Sequence, residues 1–373
     1  MDKTKWVKTT LGEVCDLYQP KTIAVKNLSL KGKYPVYGAN GVIGRYDEFN
    51  HEQAEVLIGC RGTCGVVNIS KPYSWINGNA MVVHPKKDEI FDREFLGHLA
   101  AAIDYSKVIT GIAQPQITRA NLKNVAILIP SLFEQQNIAS ELDVVQRMID
   151  GYKAQVKDLG ELAKSIFFEM FGDVSINEKC WKVTKLEKLG NLKNGLNYDK
   201  EETGNKIKVV GVGDFQSLLQ LKDFSKIRTI ELQKVLPDDY ALMNGDIIFV
   251  RSNGNKKLVG RCMEVFPEEE VVTFGAFCIR FRKNDDSINN KYLIYLLTNA
   301  EFKKQHILKT NGIGIQSINQ KILGDLPIPV PPFRLQQRFA AKIEAIEKQK
   351  ELLRQQLSDA EMLMAERMQY YFS

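Results

Sequence analysis

The stretch Ile138 to Met170, IASELDVVQRMIDGYKAQVKDLGELAKSIFFEM, places apolar residues at intervals that alternate between four and three positions without a break. This spacing is the heptad pattern of a coiled coil, and charged residues fill the positions between. Pro130 precedes the stretch, and Ser131 and Glu134 have the spacing of a capping box. We therefore predict one long helix over 131–172. About 40 residues at about 1.5 Å each would reach roughly 60 Å, which is too long for the interior of one domain.

The same stretch occurs a second time, 201 positions further along the chain. Pro130 then falls on Pro331, the pair 135–136 on the Gln pair 336–337, and Ile138 on Phe339. A strand-like run precedes each helix, at 125–129 and 326–330. Lys350 and Arg367 interrupt the second apolar seam. A repeat of this length predicts two similar halves, each ending in a long helix.

The two globular parts also open alike, since Trp6, Leu11, Val14 and Leu17 match Trp181, Leu186, Leu189 and Leu192 at a shift of 175. We predict an α+β protein with two similar mixed α/β domains, at 1–130 and 173–330. Two long heptad helices, at 131–172 and 331–373, are expected to connect these domains or hold them apart. The predicted strands are 34–38, 55–59, 66–69, 80–84, 246–250, 259–265 and 271–281, and the predicted shorter helices are 91–105 and 290–298. A glycine-rich turn is expected at 38–44.

Composition narrows the class of protein. The chain has 373 residues, of which 44% are hydrophobic and 26% charged, so it is neither disordered nor fibrous. No apolar run reaches the length of a membrane span, and no signal peptide opens the sequence. Six cysteines in a chain of this size favour a reducing cytoplasm. The net charge of +6 divides into +4 for 1–130, +5 for 181–330 and −3 for the remainder. Basic domains on a neutral frame are typical of nucleic-acid binding, although such excesses are also ordinary.

Catalytic signatures are weak throughout the sequence. Val330-Pro331-Pro332-Phe333 is similar to the tetrapeptide of amino-methyltransferases, but Val330 stands where that chemistry needs Asn or Asp. The glycines of 209–214 lack the third glycine of a nucleotide loop, and no phosphate-binding P-loop motif is present. Cys60 and Cys64 have no second pair to complete a zinc site. Two alternatives stay open at this point: a stand-alone DNA methyltransferase or nuclease, and a structural coiled-coil adaptor.

Polar side chains beside glycines are the best candidates for a binding site. Arg pairs with guanine, Asn and Gln with adenine, and Lys with phosphate, so these loops suit DNA. For the asparagines, ordinary turn chemistry is the competing explanation. The candidate DNA-contacting residues are Tyr37, Asn40, Arg45, Arg61, Thr63, Tyr73, Asn77, Gln114, Gln116, Arg251, Ser252, Asn253, Asn255, Lys256, Lys257, Asn311 and Gln316. Arg251 is expected to occupy the place that Arg61 has in the first domain.

The whole sequence resembles the specificity subunits of type I restriction-modification systems. The resemblance rests on the openings at Trp6 and Trp181, the helix entries at Pro130 and Pro331, the glycine loops and the paired heptad helices. It implies two target-recognition domains that each read half of a split sequence in double-stranded DNA, with antiparallel helices that fix the spacing of the halves. In that arrangement Lys350 would lie near Asp158 or Glu161, and Arg367 near Glu141.

The resemblance also implies that this chain is not itself an enzyme. Methylation would belong to two modification subunits that bind S-adenosylmethionine, so no cofactor or metal is expected here. ATP-driven motion and cutting would belong to restriction subunits, and the sequence leaves their presence open. The expected partners are therefore DNA and these subunits, without a membrane.

Overall fold

The computed structural model describes residues 3–29, 31–87, 89–111, 114–199, 203–215, 219–255, 258–307 and 317–373. Its contacts divide the chain into two compact units. Unit 1 is Met1–Gln155 with Leu353–Ser373, and unit 2 is Val156–Leu352. Each long helix therefore contributes residues to both units, which differs from the four consecutive segments predicted from the sequence.

Unit 1 contains two principal sheets. The strands are β1 Val7–Thr10, β2 Cys15–Tyr18, β3 Tyr34–Gly38, β4 Gly41–Tyr46, β5 Val56–Gly59, β6 Val67–Ile69, β7 Trp75–Ile76, β8 Ala80–Pro85, β9 Ile109–Thr110, β10 Gln116–Ile117 and β11 Ala126–Ile129. The helices are α1 Leu11–Val14, α2 Arg93–Ala102, α3 Arg119–Leu122 and the long α4 Leu132–Phe171. The four-stranded sheet has the order β2-β8-β5-β6, and the three-stranded sheet has the order β4-β3-β7, in which β3 pairs antiparallel to β4 and parallel to β7. Two short antiparallel pairs are β1-β11 and β9-β10.

Unit 2 repeats this plan. Its strands are β12 Lys182–Lys185, β13 Gly190–Asn194, β14 Asn205–Val210, β15 Gln220–Leu221, β16 Thr229–Leu232, β17 Asp246–Val250, β18 Cys262–Val265, β19 Val272–Phe274, β20 Cys278–Lys283 and β21 Pro327–Val330. The helices are α5 Asn290–Thr298, α6 Ala300–Phe302, α7 Gln320–Gly324 and the long α8 Phe333–Phe372. The larger sheet has the order β13-β20-β17-β18-β15, and the smaller sheet has the order β16-β14-β19. In the smaller sheet β14 pairs antiparallel to β16 and parallel to β19, as β3 does with β4 and β7.

The predicted fold class is confirmed, because two similar mixed domains accompany two 40-residue helices. Four local predictions need correction. The strand predicted at 259–265 covers only Cys262–Val265, because residues 258–260 form a turn. The expected turn at 38–44 is a hairpin in which β4 already begins at Gly41. The single strand predicted at 271–281 is two strands, β19 and β20. The helix predicted at 91–105 covers only Arg93–Ala102, since the Asp92 side chain accepts from the Phe95 amide and fixes its start.

The long helices belong to the cores of the units. In unit 1, Ile138 and Leu142 of α4 share an apolar cluster with Phe95 of α2, and all three side chains are fully buried. In unit 2, the ring of Phe171 at the end of α4 lies 4.7 Å from Tyr292 of α5 and 5.3 Å from Phe339 of α8. Each long helix buries one stripe of apolar side chains in these cores, and this burial explains the heptad spacing of its apolar residues.

The predicted antiparallel pairing is present within each unit. In unit 1, Arg367 Nε lies 3.0 Å from Glu141 Oε1, so the end of α8 meets the start of α4 as expected. The predicted partner of Lys350 is wrong. Its ammonium lies 2.9 Å from Glu347 Oε1, three positions earlier on the same helix, and Glu161 pairs with Lys164. Neighbours three positions apart share a helix face, so these pairs form without reaching across to the other helix.

A buried glutamine fixes the entry of each long helix. Gln336 Nε2 donates to the carbonyls of Ser287 and Pro331 at 2.9 and 2.7 Å, and its Oε1 accepts from the Asn289 amide at 2.8 Å. Gln135 makes the same three bonds in unit 1, to Ile90, Pro130 and Asp92. Both glutamines are almost completely buried. Each one ties the helix entry to the backbone just before α2 or α5.

We predict that Gln336→Leu lowers the free energy of unfolding by about 2–4 kcal/mol, because two carbonyls and one amide lose their partner in a buried site. The matched control is Gln337→Leu at the next, exposed position, which should change the free energy by less than about 0.5 kcal/mol. Urea unfolding followed by circular dichroism measures both variants. Equal losses in the two variants would contradict a special role for the buried position.

Candidate nucleic-acid interface

Three loops of unit 1 meet where strand β5 ends. Gly59 is the last residue of β5, and a Cβ at this position would collide with the carbonyl oxygens of Thr63 and Ala39. Glycine is therefore required for the 60–65 loop and the β3–β4 turn to approach the strand. The third loop contains residues 114–116. It reaches the same place through the Ile117 amide, which donates to the Cys60 carbonyl at 3.0 Å. We call the edge formed by these three loops the loop edge.

Five of the predicted DNA-contacting residues lie together on the loop edge of unit 1, and all five are exposed: Asn40, Arg61, Thr63, Gln114 and Gln116. Arg61 forms a backbone bridge with Gln116, so these two side chains belong to adjacent strand-like segments. Within the described part of the chain, no acidic group pairs with the Arg61 guanidinium. The loop edge of unit 1 therefore presents the Arg61 guanidinium, without an acidic partner among the described residues, beside the amide side chains of Asn40, Gln114 and Gln116.

Cys60 lies beneath this edge and is completely buried. Its Sγ accepts from Gln19 Nε2 at 2.9 Å and donates to the Asn79 carbonyl at 3.1 Å. Burial raises the pKa of the Cys60 thiol, which keeps it protonated. The cysteine therefore supports the loop and is a poor nucleophile.

Two predicted residues of unit 1 have structural roles in the core. Tyr37 is 5% exposed, and its hydroxyl accepts from the Lys71 amide at 3.1 Å. Asn77 is 3% exposed, and its side chain bonds both the amide and the carbonyl of Ile23. Neither side chain can reach a base without leaving the core, so the loop edge does not include them.

Arg45 and Tyr73 lie at the opposite end of β3 from the turn that contains Asn40. The Arg45 guanidinium donates to the carbonyls of Gly32 and Lys33 and so holds that loop. Tyr73 is half exposed, with its ring 5.3 Å from Phe49 and a backbone φ of 53°. The loop edge therefore does not include either residue.

Unit 2 has the corresponding loop edge at the end of β17. Its residues match those of unit 1 one position further along the chain than predicted. The Ile318 amide donates to the Arg251 carbonyl at 2.8 Å, as Ile117 does to Cys60. The backbone bridge that Arg61 makes in unit 1 is made by Ser252, with Ser317 as its partner. Ser252 is thus the counterpart of Arg61, and the expected equivalence of Arg251 is wrong by one position.

One position along an extended chain turns a side chain to the other face. Arg251 is half-buried, and its guanidinium donates to the Ala276 carbonyl at 3.4 Å. Asn253 follows in a tight turn, in which its Oδ1 accepts from the Asn255 amide at 2.7 Å. The predictions for Lys256, Lys257, Asn311 and Gln316 fall outside the described residues.

Sequence reasoning missed one position on each edge. Asn79 and Phe277 are exposed and occupy equivalent places, since their carbonyls accept from the amides of Cys60 and Arg251. Phe277 is 65% exposed, which is unusual for a phenylalanine. Asn79 directly precedes a predicted strand, whereas Phe277 falls inside the single strand predicted at 271–281, so no sequence signal marked it.

Among the residues that the structure describes, no group of three His, Cys, Asp or Glu side chains could hold a metal ion. The Gly211 amide donates to Asp214 Oδ2 at 2.7 Å, so that glycine segment is bonded within itself. No helix of the described ranges is long and apolar enough to cross a membrane.

Comparison with known proteins identifies the class. The family of the type I restriction modification DNA specificity domain matches residues 3–158 and again residues 178–362. The chain therefore belongs to the type I restriction-modification DNA specificity family.

Individual relatives agree with this assignment. The StySPI specificity subunit of Salmonella potsdam is 24% identical over 293 residues, which are 74% of this chain and 63% of that subunit. The MjaVIII specificity subunit of Methanocaldococcus jannaschii is 23% identical over 367 residues, covering 91% of this chain and 80% of that subunit. The S subunit of M. genitalium has a similar fold, with a TM-score of 0.63 at 16% identity over 99% of this chain and 96% of that one. A chain from a structure on assembly and conformational transition of the type I system has a TM-score of 0.55 at 18% identity, over 98% and 96%.

We predict that Gly59→Ala lowers the free energy of unfolding by about 1–3 kcal/mol, because the new methyl group must push apart the loops that meet at this strand end. Gly213→Ala is the control, since a Cβ there meets nothing within 4 Å. Amide hydrogen exchange should speed up at Cys60 and Ile117 in the first variant alone. Unchanged exchange at these amides would show that the loops do not depend on the glycine.

Proposed function

We propose that the chain is the DNA-sequence specificity subunit of a type I restriction-modification complex, in which each unit reads one half of a bipartite double-stranded target and the helix length sets the spacer. The observation that carries the proposal is the loop edge, which recurs at the same place in two units of similar topology. A repeated site with different side chains suits a target of two different halves.

The chemistry of the edges supports contact with bases. In unit 1, Arg61 can pair with guanine, and Asn40, Asn79, Gln114 and Gln116 can pair with adenine. In unit 2, Ser252 and Asn253 are polar contacts, and Phe277 suits the methyl group of thymine. The net positive charge of both globular parts favours the phosphate backbone.

The helices offer a surface for partner subunits. Phe133, Val144 and Met148 of α4 in unit 1 are 73%, 46% and 42% exposed. Their spacings are close to whole helical turns, so they form one apolar stripe. We propose that such surfaces dock two modification subunits, which would bind S-adenosylmethionine and methylate the target. Restriction subunits would complete a complex that cuts. The chain itself would hold no cofactor and catalyse no step.

The proposal is tested by methylation mapping in cells that express the chain with modification subunits. The expected result is one split motif. Arg61→Ala should relax the motif at one base of one half and weaken binding to the target by about 1–3 kcal/mol. Arg45→Ala is the matched control, since that guanidinium holds a loop away from the edge, and it should leave the motif unchanged. Equal effects of both variants on all sequences would assign Arg61 to the DNA backbone.

A further inference from the structure

Two cations of unit 2 lie beside its loop edge without an acidic partner. Arg261 stands directly before β18, and its exposed guanidinium donates only one long hydrogen bond, of 3.5 Å, to the Phe215 carbonyl. Lys303 is partly buried and opens a π-helical turn over Lys303–Ile307. Among the residues that the structure describes, no carboxylate lies within ion-pair distance of either side chain.

Gly260 brings the two cations together. Its φ is 72°, and a Cβ at this position would lie 3.8 Å from Lys303 Cε and 3.2 Å from Ile307 Cγ2. The Lys303 side chain therefore runs against the residue that precedes Arg261. The Gly260 amide donates to the Val250 carbonyl at 2.9 Å, and the Val250 amide donates to the Arg261 carbonyl at 2.8 Å. Both positions are thus fixed to the end of β17, where the loop edge of unit 2 lies.

The surroundings of Lys303 leave its charge without compensation. Partial burial lowers the pKa of the Lys303 ammonium, and the positive charge of Arg261 also lowers it. The neighbouring Cys262 thiol supplies no counter-charge, because burial raises its pKa to about 12 and keeps it protonated. A partly buried cation beside a second cation costs free energy unless an anion neutralises it. The described part of the chain does not provide that anion.

Unit 1 has no cation at the two corresponding positions. Val66 corresponds to Arg261, since its carbonyl accepts from the last amide of β5. Gly65 corresponds to Gly260 and has a φ of 84°, but the Tyr105 ring lies against it, 3.0 Å from where a Cβ would be. The same backbone therefore carries an aliphatic and an aromatic side chain in one unit and two cations in the other. The frame itself does not need the charges.

We propose that Arg261 and Lys303 hold one phosphate group of the DNA backbone next to the half-site that unit 2 reads. This inference rests on the proposed function and adds a backbone contact that fixes the register of unit 2 on the duplex. The guanidinium can donate two parallel hydrogen bonds to a phosphate, and the ammonium acts as a point charge. Because unit 1 lacks both cations, the two halves hold the backbone unequally.

The test measures how salt affects binding of the full chain, assembled with modification subunits, to a duplex with the split motif found by methylation mapping. Lys303→Met keeps the length of the side chain and removes its charge. Combined with Arg261→Met, it should reduce the slope of log affinity against log salt by about 0.9, the value for one phosphate, without changing the motif. The matched control is Lys304→Met at the next, exposed position. The Lys304 ammonium lies 3.9 Å from Glu301 Oε2, and its loss should leave the slope unchanged.

A second arm locates the phosphate. Backbone phosphates in the half-site of unit 2 are replaced one at a time by uncharged methylphosphonates. At one linkage the unsubstituted complex should lose affinity and the double variant should not. Lys303→Met should also raise the urea midpoint of the chain, because it removes a charge from a partly buried site. A lysine with a purely structural role would instead give a lower midpoint and an unchanged slope.

A double variant that keeps the salt slope and the methylphosphonate response while reading the same motif would overturn this inference alone. A complex without salt-dependent DNA binding would overturn the proposed function as well. Inorganic phosphate is the other source of the same chemistry. If it raises the urea midpoint of the chain, and if Lys303→Met abolishes that rise without affecting DNA binding, the site belongs to a free anion and the inference is wrong.

Discussion

The three hydrogen bonds of each buried glutamine are the constraint on which the two units depend. A 40-residue helix has one apolar stripe, and that stripe can enter a core only if the helix starts at the right place and angle. Gln135 and Gln336 determine both, because one amide group bonds the proline carbonyl before the helix and the backbone that precedes α2 or α5. A buried amide that lost these partners would be costly, so other packings are strongly disfavoured. The sheets, the short helix and the long helix are thereby joined at one point in each unit.

The two units keep this frame and differ on the loop edge. Strand order and pairing directions agree between the small sheets, and the amides of Ile117 and Ile318 make the same bond to the preceding loop. Along that loop the side chains have changed in size and charge, as Cys60 corresponds to Arg251, Arg61 to Ser252 and Asn79 to Phe277. Backbone bonds fix the loops, so side chains at exposed positions are free to vary. A shared backbone frame with different side chains on the two loop edges suits a protein whose halves recognise different ligands.

Sequence patterns predicted the features that depend on local periodicity and capping. The long helices follow from heptads and capping, while their antiparallel pairing was implied by the family resemblance, and that register then places Arg367 beside Glu141. The order of strands does not follow from such patterns, because short apolar runs look alike whichever neighbours they pair with. The partner of Lys350 was missed because its ammonium pairs with Glu347, three positions earlier on the same helix. The place of Arg251 was missed because the two units differ by insertions, and a shift of one position reverses the side-chain direction.

The candidate binding residues in loops fall into two groups: those whose side chains hydrogen-bond to the loop backbone and those whose side chains do not. Asn77 and Arg45 were chosen for the same chemical reason as Arg61, yet they bond to carbonyls and amides that would otherwise lack partners. A polar side chain that satisfies the backbone is unavailable to a ligand, since releasing it would leave those groups unpaired. Composition cannot separate the two cases, because the same residue types serve both purposes. Only the hydrogen-bond partners do: among the described candidates of unit 1, the side chains of Arg61 and its neighbouring amides make no such bond to the backbone.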